Sequence, residues 1–227
     1  MIPSGPGNNP ELLEAKELIK AKMNKTVLEI AQENAEDYLW IDYFPGSAAI
    51  ITLFDMALSS KERWDVVFPV LEAFAEAYPD CTLETFPYVV QAEGKRRFVE
   101  RWVMEDLTRF TAIERLAQRF VKYKKDWVID SDFEAMQRWA KKYRESKGWP
   151  DPTTDDLLKG VPSLTIIDIQ YIQMRLGVRT VKPDNRLKLV LNNLNIHFKD
   201  EIELVKKAHE LADIIGVDPL IFDQLFW

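Results

Sequence analysis

Apolar residues recur at three- and four-residue intervals over most of the chain, and nowhere in sustained alternation. Leu12, Leu13, Ala15, Leu18 and Ile19 carry that period to about Met23 from Asn9-Pro10, where proline at a first helical position marks a start. Val27, Leu28, Ile30, Ala31, Ala35 and Leu39 extend a second helix from Lys25 to Trp40. Tyr43-Phe44-Pro45-Gly46 is a turn, and Ser47 is placed to cap a nearly apolar helix from Ala48 to Leu58, broken by the charge of Asp55. Ser59 with Glu62 has capping-box spacing and opens a helix through Trp64, Val67, Leu71, Phe74 and Ala75, stopped at Tyr78-Pro79. Helices are predicted over Thr82–Val90, Glu93–Met104 and Leu107–Lys124. Ser131 with Glu134 opens another, to about Glu145, and Gly148-Trp149-Pro150 ends it. Asp151-Pro152 restarts a short helix to Leu158. Helices follow over Leu164–Leu176, Asp184–Leu194 and Asp200–Ile215, with Gly216 at the last C-cap and a final turn from Asp218-Pro219. Residues 1–9 lack the pattern and read as a disordered arm.

Composition agrees with an all-α chain. Only 8 glycines occur in 227 residues, so few tight strand connections are available, while 12 phenylalanines and 7 tryptophans suit bulky helix packing. The single cysteine, Cys81, excludes an intrachain disulfide and a cysteine-ligated iron–sulfur cluster. The opening MIPSGPGNNP has neither the basic nor the apolar region of a signal peptide, and the run Ala48 to Leu58 is too short to span a bilayer. A cytoplasmic, reducing compartment and no membrane partner are expected. His197 and His209 lack neighbouring ligands at metal spacing, so no metal or other cofactor is called for. No motif speaks to oligomeric state.

The net charge of -7 opposes nucleic-acid binding if spread evenly. It is not even. Acid is concentrated in residues 1–90, whereas Arg119, Lys122, Lys124, Lys125 and then Arg138, Lys141, Lys142, Arg144, Lys147 form one basic stretch. Arg175, Arg179, Lys182, Arg186 and Lys188 form a second. Such runs are commonly solvated helix faces; they gain interest where they flank a site.

They flank one here. In Leu157-Leu158-Lys159-Gly160-Val161-Pro162-Ser163-Leu164-Thr165 a short helix stops at glycine, turns and enters a second helix. Backbone N–H groups at such a turn point outward and suit a phosphate. An apolar helix follows, Gly177 ends it, and a short basic loop reaches Pro183-Asp184 at a new helix start. This order resembles the helix-hairpin-helix base-excision DNA glycosylases, the superfamily of endonuclease III, the adenine glycosylases and the alkyl-base glycosylases. The separation of 24 residues from Gly160 to Asp184 is close to the family's, and "VKPDNRLKLVL" looks like its aspartate segment. Arg63 to Asp80 and Ala208 to Trp227 are similar to the family's early helix and closing helices, so the likeness runs from about Ser47 to Trp227.

The resemblance implies two helical lobes: an N-terminal arm and helices, residues 1–46, joining the second lobe; a helical lobe, 47–150; and the hairpin, aspartate segment and closing helices, 151–227. It implies a monofunctional DNA N-glycosylase acting on double-stranded DNA with a damaged base. Asp184 is its catalytic carboxylate, stabilising positive charge on the sugar of a flipped-out nucleotide or activating water. Gly160, Val161, Ser163 and Thr165 form the phosphate-binding hairpin. Arg179 and Lys182 hold DNA beside it, and Trp64 and Tyr171 are candidate base-stacking aromatics. Ser60 and Lys61 lie near the place where the family inserts a side chain into the base stack. Each has a plainer reading: an N-cap for Asp184, a helix corner for the hairpin, a solvated loop for the cations, core packing for the aromatics and a surface helix start for Ser60 and Lys61. Two departures count. Pro162 replaces the second hairpin glycine and removes a donor, and Leu164 stands where the bifunctional enzymes carry a lysine nucleophile, which argues against lyase chemistry. A catalytically inactive descendant, binding DNA or protein, is the alternative. A third reading is a protein-binding module using the acidic N-terminal helices.

Overall fold

The computed structural model describes residues 10–36, 38–59, 62–145 and 152–226, with Arg144 and Glu145 described by their backbone alone. Ser60, Lys61, the glycine stop at 148–150 and the arm at 1–9 lie outside the described residues. The fold is all-α: among the described residues there are thirteen helices and no strand. None of these helices is long and apolar enough to cross a membrane.

The chain forms two units. The smaller is Met1–Tyr38 with Arg179–Trp227; the larger is the continuous stretch Leu39–Val178. The smaller unit contains α1 (Pro10–Lys22), α2 (Lys25–Glu36), α11 (Asn185–Asn193), α12 (Glu201–Ile215) and α13 (Pro219–Gln224). In it α1 packs on α12 and α2 on α13, burying Leu12, Ile19, Ala31, Leu211 and Phe222.

The larger unit is built on α4 (Ala48–Leu58), every residue of which is buried. Around it stand α3 (Trp40–Tyr43), α5 (Trp64–Ala77), α8 (Leu107–Asp126), α9 (Asp132–Glu145) and α10 (Ile166–Arg175). The short α6 (Phe86–Glu93) and α7 (Lys95–Trp102) complete it. Phe54, Phe74, Phe86, Phe98 and Phe110 join in edge-on and tilted pairs with centroids 4.7–6.3 Å apart. Such pairs add to the area they bury. Gly46 sits where a Cβ would lie 2.4 Å from the Pro79 carbonyl oxygen, so the turn before α4 admits no side chain.

Among the displaced helix boundaries three are informative, and two of them are set by a buried carboxylate. The second helix stops at Glu36, and Trp40 starts a separate α3, where the chain passes from one unit to the other. Ser59 does not cap α5. It ends α4 and donates its hydroxyl to Asp55 Oδ1 at 2.7 Å, while α5 begins at Trp64 with no side-chain cap. The helix expected up to Leu158 is a set of turns. Asp155 organises them: Oδ1 accepts the Leu157 and Leu158 amides at 2.8 and 3.1 Å, and the other oxygen faces the Trp139 indole N–H and the Tyr143 hydroxyl. A buried carboxylate satisfied in this way outweighs one turn of helix.

Candidate functional site

The aspartate segment belongs to the smaller unit. Gly177 ends α10 with φ +85, a conformation that side chains rarely adopt, and Val178 to Pro183 follow as irregular chain. Asp184 is the N-cap of α11: its Oδ1 accepts the Arg186 and Leu187 amides at 3.0 and 3.1 Å. Its Oδ2 accepts no hydrogen bond among the described residues, and the side chain is half-buried. Arg179 is engaged internally, with Nε 3.2 Å from Asp218 Oδ2 and Nη1 donating to the Ala35 carbonyl at 3.4 Å. Thr180 Oγ1 lies 3.0 Å from His209 Nε2. Burial is the largest influence on His209 and holds its pKa below the usual imidazole value, despite Asp213 and Asp218.

Asp223, unmarked in the sequence, underlies this segment. It is 1% exposed; its Oδ1 accepts the Lys182 amide at 3.0 Å and its Oδ2 the Arg186 guanidinium at 3.4 Å. Burial pushes its carboxyl up to about 6, with Arg186 and the Lys182 amide opposing and the Asp184 charge adding to the rise. Two residues flanking Asp184 are thus tied to one buried carboxylate.

The hairpin belongs to the larger unit. Gly160 has φ +69 and Ser163 φ +57. The Gly160 carbonyl accepts from Arg115 at 2.6 Å, and the Leu157 carbonyl from Arg119 at 2.9 Å, so two helix-α8 cations hold the hairpin's own backbone. Val161 is buried and donates its amide to Leu158. Thr165 forms a full capping box with Asp168: its amide and hydroxyl reach Asp168 Oδ2 at 2.8 and 2.6 Å. That carboxylate takes donors a phosphate would need. Beside it a pocket of about 340 Å³ is lined by Pro162, Ser163, Thr165, Asp168, Asp106 and Arg109. Asp106, the N-cap of α8, also pairs with Arg109 at 3.3 Å. Both helix starts thus place a carboxylate in the pocket, with Arg109 beside them. Thr165→Ala removes one of these caps and lowers stability by about 1 kcal/mol, read as a fall in the midpoint of urea unfolding.

No protein-family model matches the chain, and no characterised protein or solved structure is significantly similar to it.

Trp64 and Tyr171 are brought together, around a cation. The Arg175 guanidinium lies 4.4 Å from the Trp40 ring centre, 5.3 Å from Trp64 and 5.2 Å from Tyr171. Its Nε pairs with Asp55 Oδ2 at 2.7 Å. Asp55 is fully buried and also receives the Trp40 indole N–H at 2.8 Å and the Tyr171 hydroxyl at 3.0 Å. Burial, foremost, drives the Tyr171 pKa upward, so the phenol remains a neutral donor. Tyr171 is 5% exposed and Trp64 42%, so only Trp64 offers a face to solvent. The one sequence signal for this cluster is the charge at Asp55 inside an apolar helix.

Proposed function

We propose that the chain is a monofunctional, helix-hairpin-helix glycosylase-like protein. It hydrolyses the N-glycosidic bond of a damaged or mispaired base in duplex DNA, with Asp184 as the working carboxylate. One observation carries the reading: Asp184 is pinned to the start of α11 through one oxygen while the other is unengaged among the described residues. A carboxylate so held presents fixed negative charge where a sugar gains oxocarbenium character, or orients a water at C1′. Leu164 offers no amine, so the product is an abasic site and not a nicked strand. A cytoplasmic location suits a single unpaired cysteine.

The test is base release from a panel of alkylated, deaminated and oxidised duplexes. Asp184→Asn keeps an oxygen that can cap α11 and removes the charge. We expect release from the preferred lesion to fall about a hundredfold, with an unchanged melting temperature. Undiminished release by this variant overturns the role of Asp184.

A second reading is favoured by the hairpin itself. Pro162 lacks an N–H, the Thr165 amide is taken by Asp168, and Asp106 shares the adjoining pocket. These features suit a descendant that kept the fold without the chemistry. That reading expects no release from any member of the panel, with DNA affinity either absent or steeply lost on adding salt.

A further inference from the structure

A groove between α8 and α9, wholly within the larger unit, has a different character from the hairpin pocket. It encloses about 790 Å³ and is lined by Tyr123, Trp127, Gln137, Arg138, Lys141 and Lys142, with Glu134 as the one acid. Neighbouring lysines are neutralised: Lys124 pairs with Asp132 at 2.6 Å and Lys125 with Glu84 at 3.3 Å. Arg138, Lys141 and Lys142 form no ion pair among the described residues, and all three are exposed. The groove therefore carries local positive charge on a chain of net charge -7.

Its aromatic side is equally specific. Trp127 is 54% exposed, stands 5.9 Å from the Tyr123 ring, and carries the Arg138 guanidinium 5.1 Å from its centre. The next residue, Val128, is 88% exposed with φ +52, a conformation unfavourable to a β-branched side chain. Where a glycine would end α8 without strain, the chain holds a bulky apolar residue in water beside an exposed indole.

We infer that this groove binds single-stranded nucleic acid, with Arg138, Lys141 and Lys142 on successive phosphates and Trp127, backed by Tyr123, stacking a base. Cations alone would suit any polyanion. The exposed indole selects one with flat faces, and bases in a duplex keep theirs covered by stacking. Asp184 lies in the other unit, so this inference and the glycosylase reading stand or fall separately.

The experiment titrates the full chain into a short fluorescein-labelled oligothymidylate and follows anisotropy across a salt series. Three competitors report on the ligand: an abasic oligomer of equal charge, the same sequence as duplex, and polyglutamate. We expect Trp127→Ala to weaken binding about tenfold with little change in salt dependence. Removing Arg138, Lys141 and Lys142 together, as alanines, should flatten the slope of log affinity against log salt by about 2. The abasic oligomer should compete about tenfold less well than oligothymidylate, and the duplex and polyglutamate less well still. Circular dichroism checks that both variants keep wild-type helicity. Failure to bind overturns the inference. So does equal competition by the abasic oligomer, duplex or polyglutamate, or unchanged binding in folded variants.

Discussion

Replacing Asp55 with alanine is expected to lower the unfolding free energy by about 3–5 kcal/mol, measured by urea denaturation at neutral pH. Asp55 is fully buried in a helix with no exposed residue. It is the acceptor for the Trp40 indole, the Ser59 hydroxyl and the Tyr171 phenol, and the counter-charge of Arg175. Arg175 is itself 6% exposed. Without Asp55 its charge stays buried against three aromatic rings, whose quadrupoles return about 0.5–2 kcal/mol each at best, well short of a carboxylate at 2.7 Å. Removing both charges should cost less than removing one: Asp55→Leu with Arg175→Met leaves no unpaired ion and fills similar volume. A loss below about 1 kcal/mol in Asp55→Ala would show that water or rearrangement satisfies the guanidinium, and that the cluster is not rigid.

The second large effect is a pH dependence from Asp223. Its carboxyl titrates at about 6 when folded, against 3.8 unperturbed. Below the unfolded value both states are protonated and the protein keeps the full stability of a neutral, buried acid. As pH rises through the folded value, the unfolded chain has already ionised, and that stability is lost. The loss amounts to about 3 kcal/mol. Asp223→Asn keeps an acceptor for the Lys182 amide but has no proton to lose. The variant also sacrifices the Arg186 ion pair, which sets a constant offset between the two proteins at neutral pH. The informative quantity is therefore the difference between their stability curves. Wild type should lose ground steadily between about pH 4 and 6, and parallel curves would refute the burial argument. Because the Lys182 amide and Arg186 favour the ionised form of Asp223, acidification through the same range should loosen its hold on the two residues that flank Asp184.

The helices were legible because their period, their sparse glycines and several of their caps are local. Pro183-Asp184-Asn185, Lys199-Asp200 and Asp218-Pro219 announce helix starts, and each aspartate accepts amide bonds in the following turn. The capping spacing at Ser59 misled because a serine has two possible customers. A buried carboxylate one turn back binds its hydroxyl more strongly than an exposed amide does. Asp155 misled likewise, gathering donors from α9 that no local window contains. The Asp55 cluster joins residues 116 positions apart, and a single sequence marks only the oddity of one charge among apolar neighbours. At the candidate site the cap at Asp184 was readable, while Asp223 was not, since its importance lies in burial beneath a segment far back in the chain. The basic stretch on α8 and α9 was visible as charge. Which cations are already spent on Asp132 and Glu84 was not.

The two-part smaller unit carries a consequence for biosynthesis. Helices α1 and α2 are synthesised before the larger unit, yet the helices that cover them, α12 and α13, are synthesised after it. Throughout synthesis of Leu39–Val178 the apolar faces of α1 and α2 have no final partner, and closing so long a loop is slow. A nascent chain stalled before α12 would expose Leu12 and Ile19 to chaperones, whereas the continuous larger unit can complete its core as it emerges. Helices α12 and α13 thus act as a late seal on helices made well before them, so deleting either should be felt at α1 and α2, across the whole intervening unit.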